Sequence, residues 1–364
     1  MGTMHINNWV YVATALRDQG YTTDLIVWNP PERELGEIEY DIVMSQRFPF
    51  FFSFPMGRYL LQISFFMWSV SRYDLVICCF TGRIMDRSYL LRWLELPLLK
   101  LSGLKIILNT FGADVMTPRK TLGNLYKYSI LSAYVTDEDY IGIDEEEICI
   151  NRKYCQFWCD CVISAIDHVQ YLDRIDEYFH MRCVDTDQYV AAEPPDNKIP
   201  VILHACNHRH IKGTDFLIET IETLKKEGVA CRLNLLENRP HGEVIRAVHG
   251  ADIIADQFLI GAYARFSIEA MALEKPVVCY LREDLFPFNP IWKECPIVNA
   301  DPDSLKEKLR ELILMSSKDR LEIGKNSRKY VEKYHSQAYV GRRLNEIIMR
   351  IWKQGEPEGA CPVS

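Results

Sequence analysis

The sequence carries no excess of positive charge: 42 Lys and Arg stand against 50 Asp and Glu in 364 residues, a formal charge of −8. A chain that displaces counterions from nucleic-acid phosphates normally needs a basic face, so the balance argues against a nucleic-acid partner. An uninterrupted apolar run is missing as well. The most apolar stretch, residues 48–70, is broken by Pro49, Pro55, Gly57, Arg58 and Gln62, whereas a bilayer-spanning helix needs about 20 consecutive apolar residues. No secretory signal precedes the twelve cysteines, and no two of them form a CxxC pair. Cys78, Cys79, Cys206, Cys231 and Cys279 sit inside apolar runs that read as strands. Reduced, buried thiols in a cytoplasmic protein are therefore expected, rather than disulfides or a zinc site at Cys155, Cys159 and Cys161. Internal repeats and low-complexity tracts are absent.

What is present is ordinary globular composition, 48% hydrophobic and 25% charged, over a length that suits two domains. Apolar residues at Trp9, Val12, Ala13 and Leu16 recur with helical period up to Gly20, and a strand is expected over 24–28. Further strands are expected over 74–80 and 105–109, with a helix over 86–101 between them that stops at Gly103. Residues 191–200 read AAEPPDNKIP, and three prolines in ten residues favour an extended connector. Beyond it the alternation restarts: strands over 201–205, 232–236, 252–255 and 276–281, helices over 215–227, 243–248 and 266–273, and helices from 303 onward. The fold class is α/β, with near-continuous apolar strands that belong in parallel sheets covered on both faces. The expected domains are 1–190, 191–335, and a terminal helix with its tail over 336–364. Two such domains leave a cleft where ligands usually bind.

Two segments carry chemistry. HACNHRHIKG, residues 204–213, follows a strand and enters a helix, so Arg209 and Lys212 are positioned at the carboxyl edge of a sheet. A guanidinium grips phosphate oxygens bidentately and an ammonium adds a point charge, a pair suited to a diphosphate. Two basic residues in a polar loop can equally be solvated surface. The second segment, IGAYARFSIEAMA over 260–272, has small residues at Gly261, Ala262 and Ala264 before a helix that starts near Phe266. Such a turn exposes backbone amides and the positive end of the helix dipole, an anion site. Glu269, one turn inside, can accept from the two hydroxyls of a ribose or can face solvent as an ordinary helix glutamate.

The string from Val201 to Leu281, with HACNHRHIKG, DIIADQ and GAYARFSIEAMALEKPVV, resembles the carboxyl-terminal domain of glycosyltransferase family 4. The resemblance implies the GT-B architecture, two Rossmann-like domains facing each other across a cleft. It also implies a retaining hexosyl transfer that uses a UDP- or GDP-sugar and no metal or further cofactor. It assigns Arg209 and Lys212 to the donor diphosphate and the catalytic work, and Glu269 to the ribose. The turn Gly261, Ala262, Tyr263, Ala264, Arg265 and Phe266 becomes the remaining donor-binding segment. HINNWVYVATALRDQG over 5–20 and FGADV over 111–115 are similar to family segments of the first domain. They make Asn8, Gly112 and Asp114, together with Asp256, candidate sugar or acceptor contacts, although an aspartate at a strand end is as often a cap.

Three departures from the family pattern stand out. The first of its two glutamates separated by seven residues is Gly261 here. Phe111 stands where a histidine is usual. The chain also opens at the loop after the family's first strand, which implies a gap or rearranged edge in the first sheet. The expected partners are the nucleotide sugar and a glycan, lipid-linked or other hydroxyl acceptor. Residues 47–72, with seven phenylalanines among flanking arginines, offer peripheral contact with the cytoplasmic face of a membrane, or a helix buried on the first sheet. The rival readings are a non-catalytic sugar-nucleotide or glycan-binding protein and a sugar-nucleotide epimerase of the same shape.

Overall fold

The computed structural model describes residues 7–29, 40–86, 88–112, 114–122, 144–195 and 197–353. Helix α1 (Asn7–Asp18) buries Trp9, Val12, Ala13 and Leu16 and ends at Gly20, whose φ of 89° suits a residue without Cβ. Strands β1 (Ile26–Val27) and β2 (Ile42–Val43) pair in parallel. The phenylalanine-rich stretch forms a short helix α2 (Pro49–Phe52) and a longer one, α3 (Pro55–Val70), each with proline in its first turn, where the missing N–H costs nothing. Next come β3 (Leu75–Cys79), α4 (Arg92–Leu101), β4 (Lys105–Asn109), α5 (Glu145–Trp158), β5 (Cys161–Ser164) and β6 (Glu177–Tyr178). Asp144 caps α5 by accepting from the amide of Glu147, and three glutamates in its first turn complement the dipole.

β3 to β6 make a parallel sheet in sequential order. Its central strands β4 and β5 are buried on both faces: α3, α4 and α5 share one apolar cluster with the sheet, α1 the other. Among the described residues no strand joins β1 to β3. The space between them is a cavity of about 750 Å3, lined by Trp9 and Leu16 of α1, Leu25 and Ile26 at the start of β1, and Leu75 and Ile77 of β3.

The second sheet has β7 (Val201–Cys206), β8 (Arg232–Glu237), β9 (Ile253–Ala255), β10 (Val277–Cys279) and β11 (Val298–Asn299), all parallel, in the order β11-β10-β9-β7-β8. Between these strands run α6 (Arg209–Lys212), α7 (Thr214–Lys226), α8 (His241–His249) and α9 (Arg265–Ala272), followed by α10 (Leu305–Leu314), α11 (Ser317–Tyr334) and α12 (Gln337–Lys353). The order turns around β7, with β8 on one side and β9 on the other. A doubly wound sheet opens its ligand crevice at such a switch point, outside the carboxyl ends of the two strands. α12 packs on α1, buried through Val340, Leu344, Ile347 and Ile351 in the apolar cluster of the first sheet.

Some expectations needed correction. The helix expected over 86–101 begins only at Arg92. The carboxylate of Glu95, buried under the preceding turn, accepts the amides of Ile84 and Met85 at 2.9 Å each and so holds that turn out of the helix. The strand expected over 24–28 pairs at Ile26 and Val27 alone. The eleven described cysteines are free, and burial pushes Cys159 and Cys161 up to about 12, so they are inert core thiols. No described helix is long and apolar enough to cross a membrane.

Two glycines set how closely the last helices approach. A Cβ on Gly324 of α11 would stand 1.9 Å from the backbone oxygen of Glu274, and one on Gly341 of α12 would stand 2.6 Å from that of Ala15. Backbone cannot retreat as a flexible side chain does. Gly324→Ala and Gly341→Ala are each expected to destabilise the protein by about 1–3 kcal/mol, measured as a lowered urea midpoint at unchanged m-value.

Candidate functional site

The carboxyl ends of β7 and β9 meet at one buried carboxylate. Asp256 follows β9, is fully buried, and pairs with the Lys212 ammonium through Oδ1. Its Oδ2 accepts the hydroxyl of Ser267, in the first turn of α9, at 2.5 Å. Burial alone would raise this carboxyl, but the Lys212 charge and the hydrogen bonds from Lys212 and Ser267 outweigh it and hold Asp256 below its ordinary value. Lys212 is partly exposed and belongs to α6, which ends at Gly213 with φ 72°. A Cβ at Gly213 would press on Leu259 at 3.1 Å, so glycine serves both the left-handed turn and the close approach.

α9 begins without a capping side chain, since its N-cap is Ala264. Amides of its first turn therefore keep their capacity to donate to an anion, with the positive end of the dipole behind them. The Lys212 ammonium is two hydrogen bonds away from this turn, through Asp256 and Ser267. Arg209 points elsewhere: its Nε donates to Asp215 at 2.8 Å and its Nη1 to Glu237 at 3.3 Å, at the end of β8. The two basic residues share a helical turn but hold their charges on opposite sides of β7, each already engaged by carboxylates.

Glu269 lies one turn inside α9 and is 3% exposed. Its Oε1 accepts from Tyr189 Oη at 2.9 Å, Arg265 Nε at 2.5 Å and, across 3.0 Å, pairs with His241 Nε2. Burial raises this carboxyl, while His241 and Arg265 more than compensate and leave it below its ordinary value. It is not a solvent-facing helix glutamate. All of these bonds end on Oε1, and among the described residues Oε2 accepts none. The Arg265 guanidinium lies 5.2 Å over the ring of Tyr11 from α1, so the first half of the chain reaches this corner. Both its Nη atoms are buried with no hydrogen-bond partner among the described residues.

The other candidates divide. Tyr263 is fully buried, and its hydroxyl meets Tyr330 at 3.0 Å and His335 Nε2 at 2.8 Å, so its side chain anchors the turn from behind. Ala262 turns its carbonyl to Gln257, and Phe266 is half-buried against the core of the second sheet. Asp114 is a loop brace: Oδ1 accepts the amide of Phe111 at 3.1 Å and Oδ2 that of Phe80 at 3.3 Å, and burial pushes its carboxyl up to about 8. Asp256 is likewise bonded within the protein, to Lys212 and Ser267. Gly112 sits exposed in the same loop as Asp114 with φ 58°. Asn8 is in the first turn of α1, and its side chain lies outside the described residues.

Gly261 has φ 82°, and a Cβ there would stand 2.4 Å from Cγ of Arg282. Arg282 is buried across this position, donating to Asp284 at 3.0 and 2.5 Å and to Gln170 Oε1 at 2.8 Å. A side chain at this position would thus meet the arginine that lies over it. Sequence reasoning missed Arg282, His241 and Gln170, because each comes from a different segment, His241 opening α8, Gln170 in a short turn of helix after β5 and Arg282 after β10, and none stands in a motif.

No protein-family model matches the sequence, and no curated protein does. Solved structures do match across nearly the whole chain. Sucrose-phosphate synthase from Thermosynechococcus elongatus shares 13% identity at a TM-score of 0.61, over 94% of this chain and 92% of its own. HepE from Anabaena, solved with UDP and glucose, shares 11% at 0.52, over 94% and 95%. The lipopolysaccharide outer core galactosyltransferase WaaB shares 14% at 0.51, again over 94% and 95%. At these identities the likeness establishes the fold: the chain is a GT-B protein, α/β with parallel sheets.

Two imidazoles support the site from behind. His204 bonds Ala255 O at 2.9 Å and Thr214 Oγ1 at 2.8 Å, and His335 bonds Arg182 O at 2.9 Å. Burial lowers both to about 4, against 6.5 for a free imidazole. Between those values the unfolded chain binds more protons than the folded one. Stability is therefore complete above about pH 6.5 and is lost as the pH falls toward 4, by on the order of 3 kcal/mol per ring. Urea midpoints measured from pH 7 down to pH 4.5 should decline over this window, ahead of the carboxylate range.

Proposed function

We propose that this chain is a glycosyltransferase of the family 4 kind. In this reading it moves a hexosyl group from a UDP- or GDP-sugar to a glycan, lipid-linked or other hydroxyl acceptor, with retention and without a metal. One observation carries the proposal: at the switch point of the second sheet, Lys212 is tied through Asp256 and Ser267 to the uncapped first turn of α9. An ammonium beside free helix amides is a seat for a pyrophosphate. In transfer, the bond from the anomeric carbon to the diphosphate oxygen breaks and its electron pair leaves with the phosphate. The acceptor oxygen forms the new bond to carbon and passes its proton to the departing diphosphate oxygen. Charge therefore grows on the leaving diphosphate, where Lys212 and the α9 amides would stabilise it. Glu269, oriented by Tyr189, His241 and Arg265, has Oε2 left to accept from ribose hydroxyls.

HepE was solved with UDP and glucose, which agrees with a UDP-sugar donor here. Arg209 enters this reading only by exchanging its bonds to Asp215 and Glu237 for phosphate oxygens. A second reading, a nucleotide-sugar-binding protein without transfer, is favoured by Arg282 occupying the ground of the absent glutamate at Gly261. Turnover separates the two: a purified chain that binds UDP or GDP yet releases neither from any sugar nucleotide, with or without acceptor, belongs to the second. Lys212→Ala and Arg209→Ala should each weaken nucleoside-diphosphate binding in calorimetry by about 1.5–3 kcal/mol, the worth of a hydrogen bond to a charged group. Unchanged affinity in both removes them from the site.

A further inference from the structure

Helix α3 is apolar nearly all round, yet only one side of it is used. Leu61, Phe65 and Phe66 pack onto the first sheet, with Gln62 and Ser69 buried beside them. On the opposite side Met56, Leu60, Ile63 and Met67 follow at intervals of four, three and four residues, a straight stripe along the helix, and are 43–63% exposed. Phe50 of α2, 70% exposed, extends this apolar ground beyond the start of the helix. A helix apolar on every side is normally enclosed, and a contiguous exposed apolar patch marks a contact surface.

The charges around the stripe indicate what it contacts. From Ile42 to Tyr73 the sequence has no Asp or Glu, while Arg47, Arg58 and Arg72 all lie in that interval, in a chain of net charge −8. Arg58 stands at the first turn of α3 over the ring of Phe52 at 5.6 Å. Arg72 stands just past the last turn, over Trp68 at 5.2 Å and 3.5 Å from Asp24. The stripe is thus bounded at both ends by an exposed guanidinium resting on an aromatic ring. Asp24 stands beside Arg72 alone, so a second copy packed on this face would still bring Arg47 and Arg58 of both copies together with no carboxylate from residues 42–73 to pair them. An anionic lipid surface supplies both an apolar interior for the stripe and phosphates for the guanidiniums.

We propose that α2 and α3 dock the protein on an anionic bilayer. α3 would lie in the headgroup plane, with Met56, Leu60, Ile63 and Met67 inserted and Arg58 and Arg72 on lipid phosphates. The further consequence, that the acceptor hydroxyl is borne by a lipid, rests on the transferase reading above; the docking itself does not. The test is flotation of the full chain, without sugar nucleotide, on vesicles of phosphatidylcholine alone or mixed with phosphatidylglycerol. The expected result is binding to the mixed vesicles that falls as salt is raised. The exposed-site double variant Leu60→Ser/Ile63→Ser should lose about tenfold or more of that affinity, and Arg58→Glu/Arg72→Glu should erase the preference for the anionic lipid. Absence of the chain from the mixed vesicles, or equal flotation of wild type and both variants, overturns the proposal. So does a dimer in sedimentation that Leu60→Ser/Ile63→Ser dissolves while lipid binding is absent. None of these outcomes bears on nucleotide affinity, so failure here leaves the donor reading standing.

Discussion

The second half of the molecule depends on a buried carboxylate that cannot be left unpaired. Asp256 sits at the carboxyl ends of β7 and β9, and the cost of enclosing its charge is met by Lys212 on one side and Ser267 on the other. That requirement fixes the turn after β7, the turn after β9 and the start of α9 against one another. Gly213 lets α6 end close enough to Leu259 for the pair to form. A basic group and a helix N-terminus are brought together as a by-product of a core electrostatic constraint.

Around this junction the side chains are arranged in depth. Tyr263, His335 and Tyr330 form a buried hydrogen-bonded set behind the turn and anchor it there. His335 also ties α11 to the segment before β7 through Arg182 and Val184. Glu269 is held from three directions, by α9 itself, by α8 and by Tyr189 of the connecting segment. Tyr11 of α1 covers Arg265 from the other half of the chain. Contacts from both halves thus converge on one corner, the general condition for a site formed between two sheets.

The sequence by itself determined the alternation of the elements. β4 lies over the residues its apolar run indicated, and β7, β8, α7 and α9 differ from expectation by a residue or so, because period and the glycine or proline stops are local properties. It also placed Lys212 and the α9 turn in one crevice, since two loops after neighbouring parallel strands must open on the same edge. Tertiary structure decided what local pattern cannot carry. Glu95 reaches back to hold residues 84 and 85, and so delays α4. Asp114 and Asp256, which looked as much like ligand contacts as caps, are consumed by backbone amides, a lysine and a serine. Arg209 is drawn to Asp215 and Glu237, away from Lys212, and Arg282 fills the ground before Gly261. In each case the partner is distant in sequence and is chosen by burial, where a charge must find its counterpart among whatever the fold brings near.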